Sequence, residues 1–160
     1  MIEIKPIGSH TGMELDMTDE TISINGGCLC GAIRYKATKA PHYIGYCHCT
    51  MCQKALGNLF GTYVCFRTAH FQYLSDEPKW YIRGDRIKRG FCGICGSPIA
   101  YQKPNTDWLA IWIGSLDDRE TYRPQAHGNC DNRIPWVDIQ PYLPYRYESG
   151  ELQLKEDRHA

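Results

Sequence analysis

Apolar positions along this chain recur either with a period of two or in short unbroken runs, and both patterns are cut by glycine. Residues 32–36 alternate Ile33 and Tyr35 with polar Arg34 and Lys36, the signature of a strand with one buried face. Residues 59–66 read Leu-Phe-Gly-Thr-Tyr-Val-Cys-Phe, and residues 80–82 and 87–91 form further strand-like runs. Residues 108–113 are almost continuously apolar, as in a strand buried on both faces. Gly26, Gly27, Gly31, Gly84, Gly90, Gly93, Gly96 and Gly114 punctuate these segments. Helical periodicity is scarce. One short helix is predicted, with Thr50 as N-cap, running through Met51 and Cys52 to Ala55 and stopping at Gly57; an exposed turn is the competing reading. A helix there puts Cys49 and Cys52 at its first turn, where free backbone amides and the positive end of the dipole favour thiolate over thiol.

Composition strengthens the β reading. Eleven tyrosines, four tryptophans, fifteen glycines and nine prolines suit many short strands better than long helices. The fold class expected is mainly β, with one or two short helices. At 160 residues the chain is long enough for one core and does not require a second. Residues 1–23, of mixed charge and no clear period, read as an N-terminal extension, residues 24–148 as the working domain, and residues 149–160 as a polar, charged tail. The formal net charge is zero and the pI is near 7, so no basic field for nucleic acid and no polybasic membrane segment is present. No apolar stretch approaches the roughly 20 residues of a membrane span. The first residues lack a basic start, apolar core and small-residue cleavage site, so the expected location is cytoplasmic.

The chemistry lies in sulfur. Seven of nine cysteines fall into Cys28-Leu-Cys30, Cys47-His-Cys49-Thr-Met-Cys52 and Cys92-Gly-Ile-Cys95. A two- or three-residue step lets neighbouring thiolates converge on one ion, which favours metal over a disulfide framework. Iron–sulfur ligation is the remaining metal alternative, but its usual runs of four cysteines are absent. A closed zinc site takes four thiolates, and a reactive one takes three protein ligands and keeps a position for water or substrate. Cys47, Cys49 and Cys52 can form a three-ligand site locally, leaving Cys28, Cys30, Cys92 and Cys95 to close a four-thiolate site across about 60 residues of chain. The rival partition joins Cys49 and Cys52 with Cys92 and Cys95 and strands Cys28, Cys30 and Cys47 as an open triad.

Three blocks of sequence carry a resemblance: Gly26-Gly-Cys-Leu-Cys-Gly-Ala-Ile-Arg-Tyr35, then Tyr46-Cys-His-Cys-Thr-Met-Cys-Gln-Lys54 with Gly57, then Phe91-Cys-Gly-Ile-Cys-Gly-Ser-Pro-Ile99. In this order they resemble the glutathione-dependent formaldehyde-activating (GFA) family, which includes the centromere protein V type. The likeness continues through residues 113–118 and Pro135-Trp136 and spans roughly residues 24–148. The resemblance implies a small, zinc-stapled, mainly antiparallel β-tent fold with two Zn²⁺ per chain. It assigns Cys28, Cys30, Cys92 and Cys95 to a structural zinc, and Cys47, Cys49 and Cys52 to a second, open and catalytic one. The activity it implies is that of a carbon–sulfur lyase acting on glutathione, or another small thiol, and its adduct with a formaldehyde-like aldehyde. Two other readings are carried with it: a non-catalytic binding or chaperone-like module held together by zinc, and a thiol redox enzyme using Cys130, since methionine sulfoxide reductases of the B type have a related fold.

Residues 127–136, His-Gly-Asn-Cys-Asp-Asn-Arg-Ile-Pro-Trp, depart from the apolar strand found at this point in many GFA proteins, which points to a different pocket. Cys130, in a polar context, is expected to be exposed and reactive; Cys65, between Val64 and Phe66, is expected to be a small buried hydrophobe. His48 is a candidate proton shuttle, although an extended knuckle turns its side chain away from the sulfurs. His42, His70 and His127 lack a carboxylate motif that would make a relay. Arg133, Lys54 and Gln53 are the candidate donors for the carboxylates of glutathione.

Overall fold

The computed structural model describes residues 22–84, 87–147 and 149–150, and the backbone of 152–153. Most of the expected N-terminal extension, and the tail from residue 154, lie outside the described residues. The chain is mainly β, as the strand pattern predicts. Its strands are β1 (Ile24–Gly27), β2 (Arg34–Ala37), β3 (Tyr43–Cys47), β4 (Gly61–Arg67), β5 (Phe71–Tyr73), β6 (Lys79–Arg83), β7 (Ile87–Phe91), β8 (Pro98–Gln102), β9 (Trp108–Trp112), β10 (His127–Gly128), β11 (Tyr145–Arg146) and β12 (Leu152–Gln153). The single described α-helix, α1 (Thr50–Leu56), joins β3 to β4.

Two sheets result, β1-β2-β5 and β12-β11-β10-β3-β4-β9-β8-β7-β6. Pairing is antiparallel except at β10, which runs parallel to both β3 and β11. That parallel pairing sits within a mainly antiparallel architecture, as expected. It is built from two-residue strands too short to leave a period in the sequence.

Alternation sends Ile44, Val64, Phe66, Leu109 and Ile111 to one face of the large sheet. There they join Ile24, Ile33, Tyr35 and Ala37 of the small sheet in one core. Each fully buried Ile or Phe contributes about 1.5–3 kcal/mol through removal of apolar surface from water. Tyr35 is fully buried, yet its hydroxyl is satisfied by Ser115 Oγ at 2.7 Å. The loop after β9 is tied back to the small sheet by Asp117 N donating to the Asn25 carbonyl and by the Arg34–Asp117 ion pair.

The opposite face of the large sheet carries the second cluster. The register aligns Cys47 with Gly61, Tyr63 with Trp112, Cys65 with Ala110, Ala110 with Tyr101, and Tyr101 with Arg89. Directly paired residues share a face, so one surface runs from a cysteine at the end of β3 to an arginine in β7. Gly61 is required where α1 covers this face: a Cβ there would lie 2.6 Å from the Trp112 ring and 3.0 Å from Leu56.

Candidate metal centres

All nine cysteines lie within the described residues, and all are unpaired thiols; the disulfide framework is not formed. Seven gather into two groups, Cys28, Cys30, Cys92 and Cys95, and Cys47, Cys49 and Cys52. Within each group every sulfur lies within 4.8 Å of the others. This is the partition that spacing favours. Cys49 and Cys52 do not join Cys92 and Cys95.

The four-cysteine group is built from two glycine-containing turns, each of which aims a backbone amide at a cysteine sulfur. After β1, Gly31 N donates to the Cys28 carbonyl and Ile33 N to Cys28 Sγ at 3.2 Å. After β7, Gly96 N donates to the Cys92 carbonyl and Ile94 N to Cys92 Sγ at 3.4 Å. Gly31 and Gly96 both have positive φ, 80° and 76°, which glycine adopts without penalty. Leu29 N donates to Ser97 Oγ at 3.2 Å, joining the two turns. Sulfur separations of 3.5 Å for Cys28–Cys30 and 3.8 Å for Cys30–Cys92 match the roughly 3.8 Å edge of a tetrahedron with metal–sulfur bonds of about 2.3 Å. The Ser97 hydroxyl beside Cys95 pulls that thiol down to about 5. Four soft sulfurs and amides aimed at them fit a closed, thiolate-rich metal site.

The three-cysteine group lies where β3 runs into α1. Here the sequence reading needs one correction: the N-cap is Cys49, not Thr50, which is already the first helical residue. Cys49 has extended backbone, φ −63° and ψ 144°, and its sulfur accepts from Cys52 N at 3.3 Å. Sulfur therefore takes the role that a serine or aspartate oxygen ordinarily plays at a helix start. Gly57 closes the helix in the left-handed region at φ 59°, as an αL cap requires. Sharing of protons from Cys47 and then Cys52 holds Cys49 down to about 2, and the same sharing pushes Cys47 up.

Around these sulfurs lie groups that linear spacing did not reveal. Asn129 Nδ2 donates to Cys47 Sγ at 3.3 Å from a left-handed backbone, φ 55°. Arg89 Nη2 lies 3.8 Å from Cys52 Sγ, and its guanidinium carbon is 5.9 Å from the centre of the Tyr101 ring. Tyr101 in turn packs against Tyr63, Trp108 and Trp112. Burial pushes the Tyr63 and Tyr101 phenols well above their ordinary range, so both stay neutral beside the cluster. Asn129 and Arg89 come from β10's far side and from β7, and only strand register could have signalled them.

His48 is 1% exposed and turned to His127, Nε2 to Nδ1 at 2.9 Å. With His127 Nε2 donating to the Gln140 carbonyl, its Nδ1 accepts from His48. Burial lowers both imidazoles, His48 to about 4, so the pair is neutral at pH 7. His127 stacks between Tyr46 and Tyr145 at 4.9 and 4.4 Å. His127 thus has a relay partner that its own neighbourhood in sequence did not reveal: a second histidine in place of a carboxylate. His42 and His70 are exposed and belong to neither cysteine group.

Cys65 is buried as expected, and burial pushes its thiol up to about 12. Cys130 is not the exposed loop thiol expected from its polar neighbours. A 3₁₀ turn at Cys130–Asn132 tucks it to 5% exposure, and burial raises its pKa. Gln53 Nε2 is committed to the His48 and Asn132 carbonyls, at 2.8 and 3.0 Å, and Arg133 Nη1 to the Val137 carbonyl at 2.6 Å. These two therefore hold the loop after β10 rather than standing free for a ligand. Lys54 is exposed. Among the described residues no helix is long and apolar enough to cross a membrane.

Among curated proteins none matches this chain. Among solved structures, a crystal structure of a Rhodobacter sphaeroides protein is similar at 19% identity and a TM-score of 0.50, over 62% of this chain and 96% of that one; the likeness concerns the fold. The family model described as glutathione-dependent formaldehyde-activating enzyme matches residues 23–132, a stretch that includes both cysteine groups, Arg89 and Asn129. The chain belongs to the glutathione-dependent formaldehyde-activating enzyme family.

Proposed function

We propose that this chain is a zinc-dependent carbon–sulfur lyase acting on glutathione, or another small thiol, and its adduct with a formaldehyde-like aldehyde. In this reading Cys28, Cys30, Cys92 and Cys95 hold a structural zinc, and Cys47, Cys49 and Cys52 hold a second one. Residues 24–148 are the working domain, with residues 1–23 and 149–160 appended to it. The observation that carries the reading is the triad itself: three sulfurs converge and, among the described residues, no fourth protein ligand joins them. Three protein ligands with one position left over is the arrangement of a reactive zinc site.

Zinc bound there supplies the Lewis acidity that keeps a thiol in its thiolate form near neutral pH. The chain's own residues hold and shape the site. Cys49 is fixed by the first turn of α1, Cys47 is oriented by Asn129, and Cys52 faces the Arg89 guanidinium. The neutral His48–His127 pair anchors the segment between Cys47 and Cys49 from behind. In the synthetic direction the substrate sulfur forms a bond to the aldehyde carbon and the thiol proton ends on the aldehyde oxygen. In reverse the carbon–sulfur bond breaks and the proton returns to sulfur.

Metal analysis and exchange kinetics test this together. Purified protein should hold two zincs per chain, and the interconversion of formaldehyde and S-hydroxymethylglutathione, followed by NMR exchange, should accelerate with enzyme concentration. Cys49→Ser should keep one zinc and lose the acceleration. One zinc in the native protein, with no effect on exchange, would instead favour the non-catalytic, zinc-stabilised module.

A further inference from the structure

Arg89 stands in the middle of β7, opposite Tyr101 of β8, and its two terminal nitrogens differ. Nη2 is directed at Cys52 Sγ, whereas Nη1 is buried and has no hydrogen-bond partner. Among the described residues the arginine–carboxylate ion pairs are Arg34–Asp117 and Arg67–Asp107, and no carboxylate offsets the Arg89 guanidinium. A buried donor on a permanent cation is costly unless something anionic meets it. The face around it offers only neutral aromatics: Tyr101 beneath the guanidinium, with Tyr63, Trp108 and Trp112 beyond. The remaining candidates for a counter-charge are the sulfur cluster and whatever joins it.

The charge count gives this a direction. Three thiolates with a divalent ion sum to minus one, and Arg89 brings the local sum to zero. A fourth, anionic ligand then returns it to minus one; without Arg89 the sum would be minus two. We propose that Arg89 is the residue that selects an anionic fourth ligand at the three-cysteine centre: Nη2 offsets Cys52, and Nη1 remains to donate to the incoming thiolate. The inference rests on the thiol-chemistry reading above and adds to it the residue that sets ligand charge. At an effective dielectric of about 20 and a separation of about 6 Å, one unit charge changes anion affinity by roughly a hundredfold. A neutral ligand at the same position feels almost none of this.

The test uses cobalt-loaded protein, whose absorption reports ligands at an incomplete site, titrated separately with 2-mercaptoethanol, azide and imidazole. The first binds as a thiolate, the second is an anion without sulfur, and the third is neutral. Arg89→Met should weaken both anions by more than tenfold and leave imidazole within about twofold, with two metals per chain and an unchanged melting temperature. Arg89→Lys keeps the charge and should recover most of the loss. Equal anion affinity in Arg89→Met, or equal weakening of all three ligands, would overturn the proposal. A wild-type protein that takes azide in an Arg89-dependent way but no thiol would overturn the thiol reading while supporting the role of Arg89.

Discussion

The four-cysteine group and the three-cysteine group use the same ligand atom, yet they are set into the chain in opposite ways. Cys30 and Cys92 are 62 residues apart and meet only because the two sheets have folded together. Cys47, Cys49 and Cys52 meet within one strand end and one helical turn. A metal at the first group closes a long loop and removes conformational freedom from the unfolded chain. A metal at the second closes almost nothing. The surroundings differ in the same sense. The long-range group sits at the rim, where Leu29 and Ile94 at its turn tips are 90% and 74% exposed, and its sulfurs are served by backbone amides and Ser97. The local group lies at the start of α1, and besides the Cys52 amide it is served by two side chains from distant strands and loops, Asn129 and Arg89. In the proposed reading, sequence separation distinguishes a sulfur site that holds the fold from one that is free to do chemistry.

The largest expected effect breaks this contrast from the structural side. Cys92→Ser removes a proposed zinc ligand that is 2% exposed and packed within the main core. It should cost more than about 5 kcal/mol, comparable with the whole stability of an ordinary domain. Circular dichroism and metal content should report an unfolded or aggregated, largely metal-free protein. Cys49→Ser is the partner experiment. It should lose one metal and at least a hundredfold in exchange activity while shifting the melting temperature by only a few degrees. Its serine oxygen can still cap α1. If Cys49→Ser unfolds the protein as thoroughly as Cys92→Ser, the division of labour between the two groups is wrong.

Asn129→Gly sharpens the comparison with a smaller effect. Glycine accepts the left-handed backbone at this position without strain, so the substitution removes only the amide that donates to Cys47. Loss of an orienting hydrogen bond on a metal ligand typically weakens metal binding by about 10–100-fold. Competition with a chromophoric chelator should therefore resolve one loosened site and one unchanged site. Loosening of both, or of neither, would separate Asn129 from the second centre.

What the sequence disclosed follows from the range of the interactions involved. β7 matches its strand-like segment end to end, and the apolar run of β9 stops one residue short of the expected span, because such patterns are local signals. The helix was also legible, though its cap is a sulfur where a hydroxyl was expected. Both cysteine groups follow the spacing, since glycine-flanked turns in one and a strand end running into a helical turn in the other impose their geometry within a few residues. Arg89 could not be read in this way. It reaches Cys52 through the register β7-β8-β9-β4-β3, four successive pairings that no linear motif encodes. The His48–His127 pair depends on the parallel strand β10, two residues long, and Cys130 is hidden by a 3₁₀ turn inside a segment whose composition looks exposed.

The smallest effect concerns the frame around the long-range group. Arg34, the first residue of β2, donates from both terminal nitrogens to the Asp117 carboxylate after β9, clamping the strand that follows Cys28 and Cys30. Its guanidinium holds the Asp117 carboxyl below the usual carboxylate range. A depressed folded pKa contributes stability that is fully present above the unfolded value of about 3.9 and is lost as pH falls through the folded value. Both side chains are partly exposed, at 40% and 50%, so water screens the pair and its contribution is about 0.5 kcal/mol. Asp117→Asn should therefore lower stability by about that amount at pH 7, and in urea titrations the difference from wild type should shrink and vanish as pH falls through the folded Asp117 value. A difference that persists unchanged into acid would mean that packing, not charge, holds this corner.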